Sequence, residues 1–186
     1  VASPSPRQQR SDAVRNRARI MHAAREQIIE HGPTVSMSAI ADAAGVAVGT
    51  LYRNFPAKVD LVNAVVEEHL EQLVVDVEQT AARVADGAPP GDELRALAHR
   101  ILDDAARNHA VKVAAAAFVD PDYSAAEQRA GRSLTPILQS CIDAGVLAPE
   151  VEAADFQLLM VTAPVDQPEQ VRNRWLEIFL AGLAPH

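Results

Sequence analysis

Thr50, Tyr52, Arg53 and Lys58 fall within nine residues of one another. Two hydroxyl donors, a guanidinium and an ammonium at this spacing suit the binding of a polyanion. Thr50 and Tyr52 can donate to phosphate, and Arg53 can reach phosphate or the edges of guanine. Lys58 stands where a helix is predicted to begin, so its charge adds to that of the helix's N-terminal N–H groups. Arg15 and Arg17 lie upstream in a basic arm. Other chemistries find less to work with. His99 and Asp103 share a helix face at a spacing two metal ligands can use, but no third ligand accompanies them. Cys141 sits in an apolar helical stretch and reads as a small buried hydrophobe. Asp103-Asp104 and Glu67-Glu68 are adjacent, so they point apart on a helix and form no dyad. The glycines are scattered singly, without a phosphate-cradling loop. No catalytic residue, metal or cofactor is expected, and the chain does not read as an enzyme.

The elements that must position these residues follow from periodicity and breakers. A first helix is predicted from Asp12 to His31, with Ile20, Ala24 and Ile28 on one face and Gly32-Pro33 as the stop. Ser36 is a candidate N-cap for a short second helix to Ala44, with Met37, Ile40, Ala41 and Ala44 facing inward. Gly45 supplies the left-handed turn. A third helix over 48–54 ends at Phe55-Pro56, and a long fourth helix runs over 57–85. The second and third helices, joined by Gly45-Val46-Ala47, have the dimensions of a helix-turn-helix. Such a unit presents Val48, Gly49, Thr50, Tyr52 and Arg53 outward, on a wedge of Ile40, Val46 and Leu51. An ordinary helical hairpin, with Tyr52 and Phe55 in its core, fits the spacing equally.

Beyond the loop DGAPPGD at 86–92, helices are predicted over 92–109, 110–119, 125–144 with a kink or split at Pro136, 152–163 and 168–183. The fold class is therefore all-α, with about nine helices. The 186 residues are 48% hydrophobic and only 4% aromatic, enough for one sizeable core or two small ones. A single cysteine excludes a disulfide framework and points to a reducing compartment. No apolar run approaches the roughly 20 residues of a membrane span, and the first residues lack a signal-peptide pattern. Cytoplasmic location and no membrane partner are expected. The net charge of −8 conceals an asymmetry: residues 1–58 carry eight basic against four acidic residues, the remainder nine against 21. A basic head on an acidic body raises nucleic acid as a partner without settling it.

The stretch 36–58, SMSAIADAAGVAVGTLYRNFPAK, continued to Leu61, resembles the tetracycline-repressor (TetR) family of bacterial regulators in Ile40, Ala41, Ala44, Gly45, Val46, Gly49, Thr50, Leu51, Tyr52, Phe55, Lys58 and Leu61. The resemblance implies an all-helical homodimer. A three-helix DNA-binding domain at 12–57 would be joined by the long helix to a ligand-binding and dimerisation domain at 58–186. It implies phosphate contacts from Thr50, Tyr52 and Lys58, a phosphate near the Ser36 cap, and sequence choice by Ser38, Val48 and Arg53. Two positions depart from the family's habit: Ala47 and Ala57 stand where Ser or another capping residue is frequent.

A dimer is also expected because one short helix reads only a few base pairs, whereas a two-fold pair reads an inverted repeat in double-stranded DNA. Its candidate surface is the helices near 125–144 and 168–183, the latter with Val171, Trp175, Ile178 and Phe179. A small-molecule effector is also implied by the resemblance; its candidate contacts are Leu102, His109, Val113, Phe118, Leu138, Cys141, Phe156 and Met160, with Ala106, Arg107 and Ala117 as further neighbours, and each of these also fits an ordinary place in the core or on the surface. The expected function is a ligand-responsive repressor. A helical binding or scaffold protein that keeps the fold without operator control is the alternative.

Overall fold

Ile20, Ala24 and Ile28 are fully buried along one side of the first helix, as their four-residue recurrence predicts. The computed structural model describes residues 6–116 and 124–185. Among them are α1 (Pro6–His31), α2 (Met37–Ala44), α3 (Val48–Asn54), α4 (Lys58–Ala85), α5 (Pro90–Arg107), α6 (His109–Ala116), α7 (Ser124–Asp143), α8 (Ala153–Thr162) and α9 (Glu169–Gly182), and no strand. Beyond shifts of one or two residues, such as α5 spanning Pro90–Arg107 where 92–109 is expected, two features differ from expectation. Helix α1 begins at Pro6 rather than Asp12. Proline suits a first helical position because the N–H it lacks would be unpaired there and its φ is preset. Helix α7 passes through Pro136 without splitting. Arg132, whose carbonyl loses its partner there, is exposed, as is Pro136, while Leu134, Ile137 and Leu138 face inward. The lost bond therefore falls on the wet side of the helix, where water can replace it.

Packing separates the described chain into two units. The first takes the residues up to 68 together with 108–116, and the second takes 69–107 together with those from 124 on. In the first unit α1 packs against both α2 and α6. Ile20, Ile28, Ile40, Leu51, Phe55 and Leu61 are buried to within 1%. Helix α3 has seven residues and no side-chain N-cap bond, too little to persist alone. Burying Leu51 and Phe55 contributes about 1.5–3 kcal/mol each, which outweighs an absent cap of about 0.5–2 kcal/mol.

In the second unit α5 packs on α7 and α9, and α7 on α8. Its core joins Leu94, Leu97, Leu102, Leu134, Ile137, Leu138, Cys141, Phe156 and Leu176. Arg100 grips Asp76 with two nitrogens, Arg83 pairs with Glu93, and Arg129 spans Glu71 and Glu78. Such partly exposed pairs add about 0.2–1 kcal/mol each, so apolar burial holds this unit.

Candidate nucleic-acid interface

The helix-turn-helix is built from its turn outward. Ser36, in extended backbone, accepts the Ala39 N–H at 3.1 Å and so caps α2. Its hydroxyl also lies 2.9 Å from that of Ser38. Met37, Ile40, Ala41 and Ala44 are the buried residues of α2, the set the pattern predicts. Gly45 adopts φ +63°, and the N–H groups of Gly45 and Val46 return to the carbonyls of Asp42 and Ala41, both at 3.0 Å. This closure satisfies carbonyls the helix end would otherwise leave unpaired.

From that turn α3 emerges with Leu51 inward and Val48, Gly49, Tyr52 and Arg53 exposed. Thr50 is half-buried. Arg53 folds back along the helix, donating from Nε to the Gly49 carbonyl at 3.0 Å. Asn54 Nδ2 donates to the Thr50 carbonyl at 2.8 Å, which closes the helix's last turn. The outer face therefore offers an apolar Val48, a glycine with open space where a Cβ would be, a phenol and a guanidinium. These can approach a groove closely, donate to phosphate and touch base edges.

The remaining expected contacts are already engaged. Arg15 pairs with Asp12. The Arg17 guanidinium lies 4.3 Å over the centre of the Phe55 ring, a cation–π contact on the residue that ends α3. The Lys58 ammonium donates to the carbonyls of Pro33 and Val35, and burial lowers its pKa. At the start of α4 the Ala57 N–H donates to Asp60 Oδ2 at 2.9 Å. Asp60 thus supplies, from the third helical position, the half of a capping box that returns to the N-cap N–H. Sequence reasoning missed Asp60, although its spacing carries the signal. It also missed Arg19, which donates to the carbonyls of Ala44 at 2.6 Å and Gly45 at 3.2 Å. No local pattern announces that contact, because it spans 25 residues.

The family model for bacterial regulatory proteins of the tetR family matches residues 20–65, the segment that holds this interface. A crystal structure of a TetR transcription regulatory protein from Mycobacterium vanbaalenii superposes with a TM-score of 0.74 at 28% identity, covering 95% of this chain and 99% of that one. Residues 20–65 thus match the TetR-family segment, and the fold matches that of TetR regulators. A second TetR regulator, from Streptomyces coelicolor, gives a TM-score of 0.69 at 28% identity over 91% of this chain and 98% of that one. An HTH-type transcriptional regulator of Staphylococcus aureus (strain MRSA252) is 34% identical over 100 residues, 52% of this chain and 51% of its own. The chain thus spans about half the length of that curated relative.

The residues expected to meet an effector divide. Leu102, Leu138, Cys141 and Phe156 lie in the core of the second unit, with Met160 packed against it. Burial pushes the Cys141 thiol up to about 11, leaving it protonated and unreactive at neutral pH. His109 and Val113 are exposed on α6, in the first unit. Phe118 and Ala117 lie outside the described residues. A cavity of about 180 Å³ in the second unit is lined by Leu94, Arg95, Leu147, Glu177 and Leu180 among others, none of them in the expected set. Arg95 and then His99 hold the Glu177 carboxyl below its ordinary value by hydrogen bonding. The His99–Asp103 pair has separate partners on α9, since Asp103 meets Arg172 at 3.4 Å.

Among the expected dimer residues, Val171 and Ile178 are exposed, while Trp175 and Phe179 are half-buried and stacked 6.0 Å apart. Leu176 is the buried residue of α9. Helix α7 turns Leu134, Ile137, Leu138 and Cys141 into its own core, whereas α8 exposes Leu158 and Val161.

Proposed function

We propose that this chain is a transcriptional regulator of the TetR family, not an enzyme. In this reading it acts in the cytoplasm as a homodimeric repressor that binds an inverted-repeat operator and is released by a small molecule. The observation that carries it is the outer face of α3, where Val48, Gly49, Tyr52 and Arg53 stand exposed on a helix anchored by buried Leu51 and Phe55. A seven-residue helix reads few base pairs, so two copies are needed to specify a site, with half-sites about one helical turn or more apart. Residues 12–57 would read DNA, and residues 58–186 would dimerise and take the effector. The effector acts only by preferring the conformation that does not bind DNA, to the extent of that preference.

Selection of bound sequences from random duplex DNA, at near-physiological salt, tests this reading. An enriched inverted repeat is the expected result, and Tyr52→Ala should weaken binding to it about tenfold or more while leaving the oligomer unchanged. A folded wild-type dimer that enriches no sequence would overturn operator reading and leave a helical binding protein as the account of this fold.

A further inference from the structure

The leading end of α3 carries no side chain that can hydrogen-bond. Ala47, Val48 and Gly49 follow one another there, all three exposed. Val48 is 40% exposed although it is apolar, and a Cβ at Gly49 would meet nothing within 4 Å. The exposed donors of this face come a turn later, with Tyr52 and Arg53. Arg53 lies back toward Gly49, with Nε on its carbonyl at 3.0 Å and Nη2 3.5 Å from the Thr50 hydroxyl. Residues four apart share a helix face, so α3 presents two columns: Val48 with Tyr52, and bare Gly49 with Arg53. The missing side chain at Gly49 lets the backbone beside Val48 approach a partner closely, which suits the short reach of valine. An isopropyl group makes no hydrogen bond to phosphate or to the donors and acceptors of a base edge. The one apolar group that the major groove displays is the C5-methyl of thymine.

We propose that Val48 is a specificity-determining residue that reads the C5-methyl group of one thymine in each half-site. The inference rests on the DNA-binding reading and adds to it the chemistry of one base. Contact between two apolar groups removes both from water without costing either a hydrogen bond. Uracil presents the same O4 acceptor without the methyl, so a hydrogen-bonding side chain does not distinguish the two bases, whereas an apolar one does.

The test uses the full chain and the repeat selected from random DNA, in duplexes where deoxyuridine replaces thymidine at one position of each half-site at a time. For wild type, one such replacement should weaken binding about fourfold per half-site, the effect of one buried methyl. Val48→Ala should bind the unmodified repeat more weakly by a similar factor and be indifferent to that replacement, while Val48→Ile keeps the sensitivity. Both changes fall at an exposed position and leave the buried anchors Leu51 and Phe55 in place. A selected half-site without thymine, or one in which no replacement weakens wild type, overturns the proposal. Equal losses by wild type and Val48→Ala at the same thymine would mean that another side chain or the shape of the duplex reads it, and overturn the proposal as well. A folded wild type that selects no repeat overturns the operator reading itself, whereas a repeat that tolerates every replacement overturns only the role of Val48.

Discussion

At φ +63° Gly45 occupies the region where an L side chain costs about 1–2 kcal/mol, and a Cβ there would stand 2.8 Å from Arg19 Nη2. That nitrogen ends a flexible side chain, so it can withdraw, but only by giving up its bonds to Ala44 and Gly45. Loss of a charge-assisted bond adds about 1.5–3 kcal/mol at most where the donor is buried, and less here because Arg19 is exposed. Gly45→Ala should therefore destabilise the chain by about 2–3 kcal/mol. Gly32, at φ +78° with nothing within 4 Å of its notional Cβ, isolates the backbone contribution. Gly32→Ala should cost about 1–2 kcal/mol. Urea unfolding of the two variants measures the difference, and equal losses would mean that the Arg19 contact contributes nothing. The need for glycine at 45 was legible, because a turn of three residues between two helices leaves few other solutions. Its partner was not: Arg19 is one of several arginines on α1, and only the tertiary fold brings this one to the turn. Lys58 carries the same lesson from the other side. Residue type and position suggest a phosphate ligand, and only the tertiary fold shows that its ammonium also reaches two carbonyls.

Helices α3 and α4 both begin at alanines, and the structure treats the two starts differently. At Ala47 the backbone is extended and no side chain caps the helix, although the Thr50 N–H already reaches the Ala47 carbonyl at 2.8 Å. At Ala57 the third residue, Asp60, returns to the backbone N–H. A serine at 47 would place a hydroxyl where it can accept from the first turn of α3. Ala47→Ser should stabilise the first unit by about 0.5–2 kcal/mol, a rise of a few degrees in thermal midpoint. Calorimetry that finds no rise would show that burial of Leu51 and Phe55 already fixes this helix end. At the scale of elements most of the fold could be read in advance, since period, caps and breakers act within a few residues. Helix α2 was predicted to its inward residues, because Ser36 and Gly45 bound it and its apolar positions are unambiguous. The misread places are where a local breaker meets a permissive environment: Pro6 opens a helix, and Pro136 lies on a solvent-facing side that tolerates a missing N–H.

Across the whole molecule, charge and apolar exposure divide the labour. The head carries an excess of four positive charges, yet Arg15 and Arg17 have partners within it, and Arg19 and Lys58 are turned to carbonyls. In the proposed reading, specific binding by such a head depends more on pairing two copies than on the charge of one. In place of the expected surface on α7 and α9, α8 and α9 expose aliphatic surface that a proposed pairing would use: Leu158 is 66% exposed, Val161 82% and Ile178 64%. These side chains contribute little to their own core, whereas Leu176 on the same helix as Ile178 is fully buried. A stable dimer buries about 1,600 Å² in total, and isolated aliphatic residues of this exposure are cheap to replace in a monomer. Val161→Asp combined with Ile178→Asp should therefore leave thermal stability of the monomer within about 0.5 kcal/mol while placing unpaired charges in the proposed interface. Sedimentation should show the variant as a monomer at concentrations where wild type is a dimer. Affinity for the selected inverted repeat should drop by about a hundredfold or more, because the second half-site is no longer presented at high effective concentration. Affinity for a single half-site should not change, since the head is untouched. A double variant that still sediments as a dimer would place the interface elsewhere and detach these exposed residues from DNA reading.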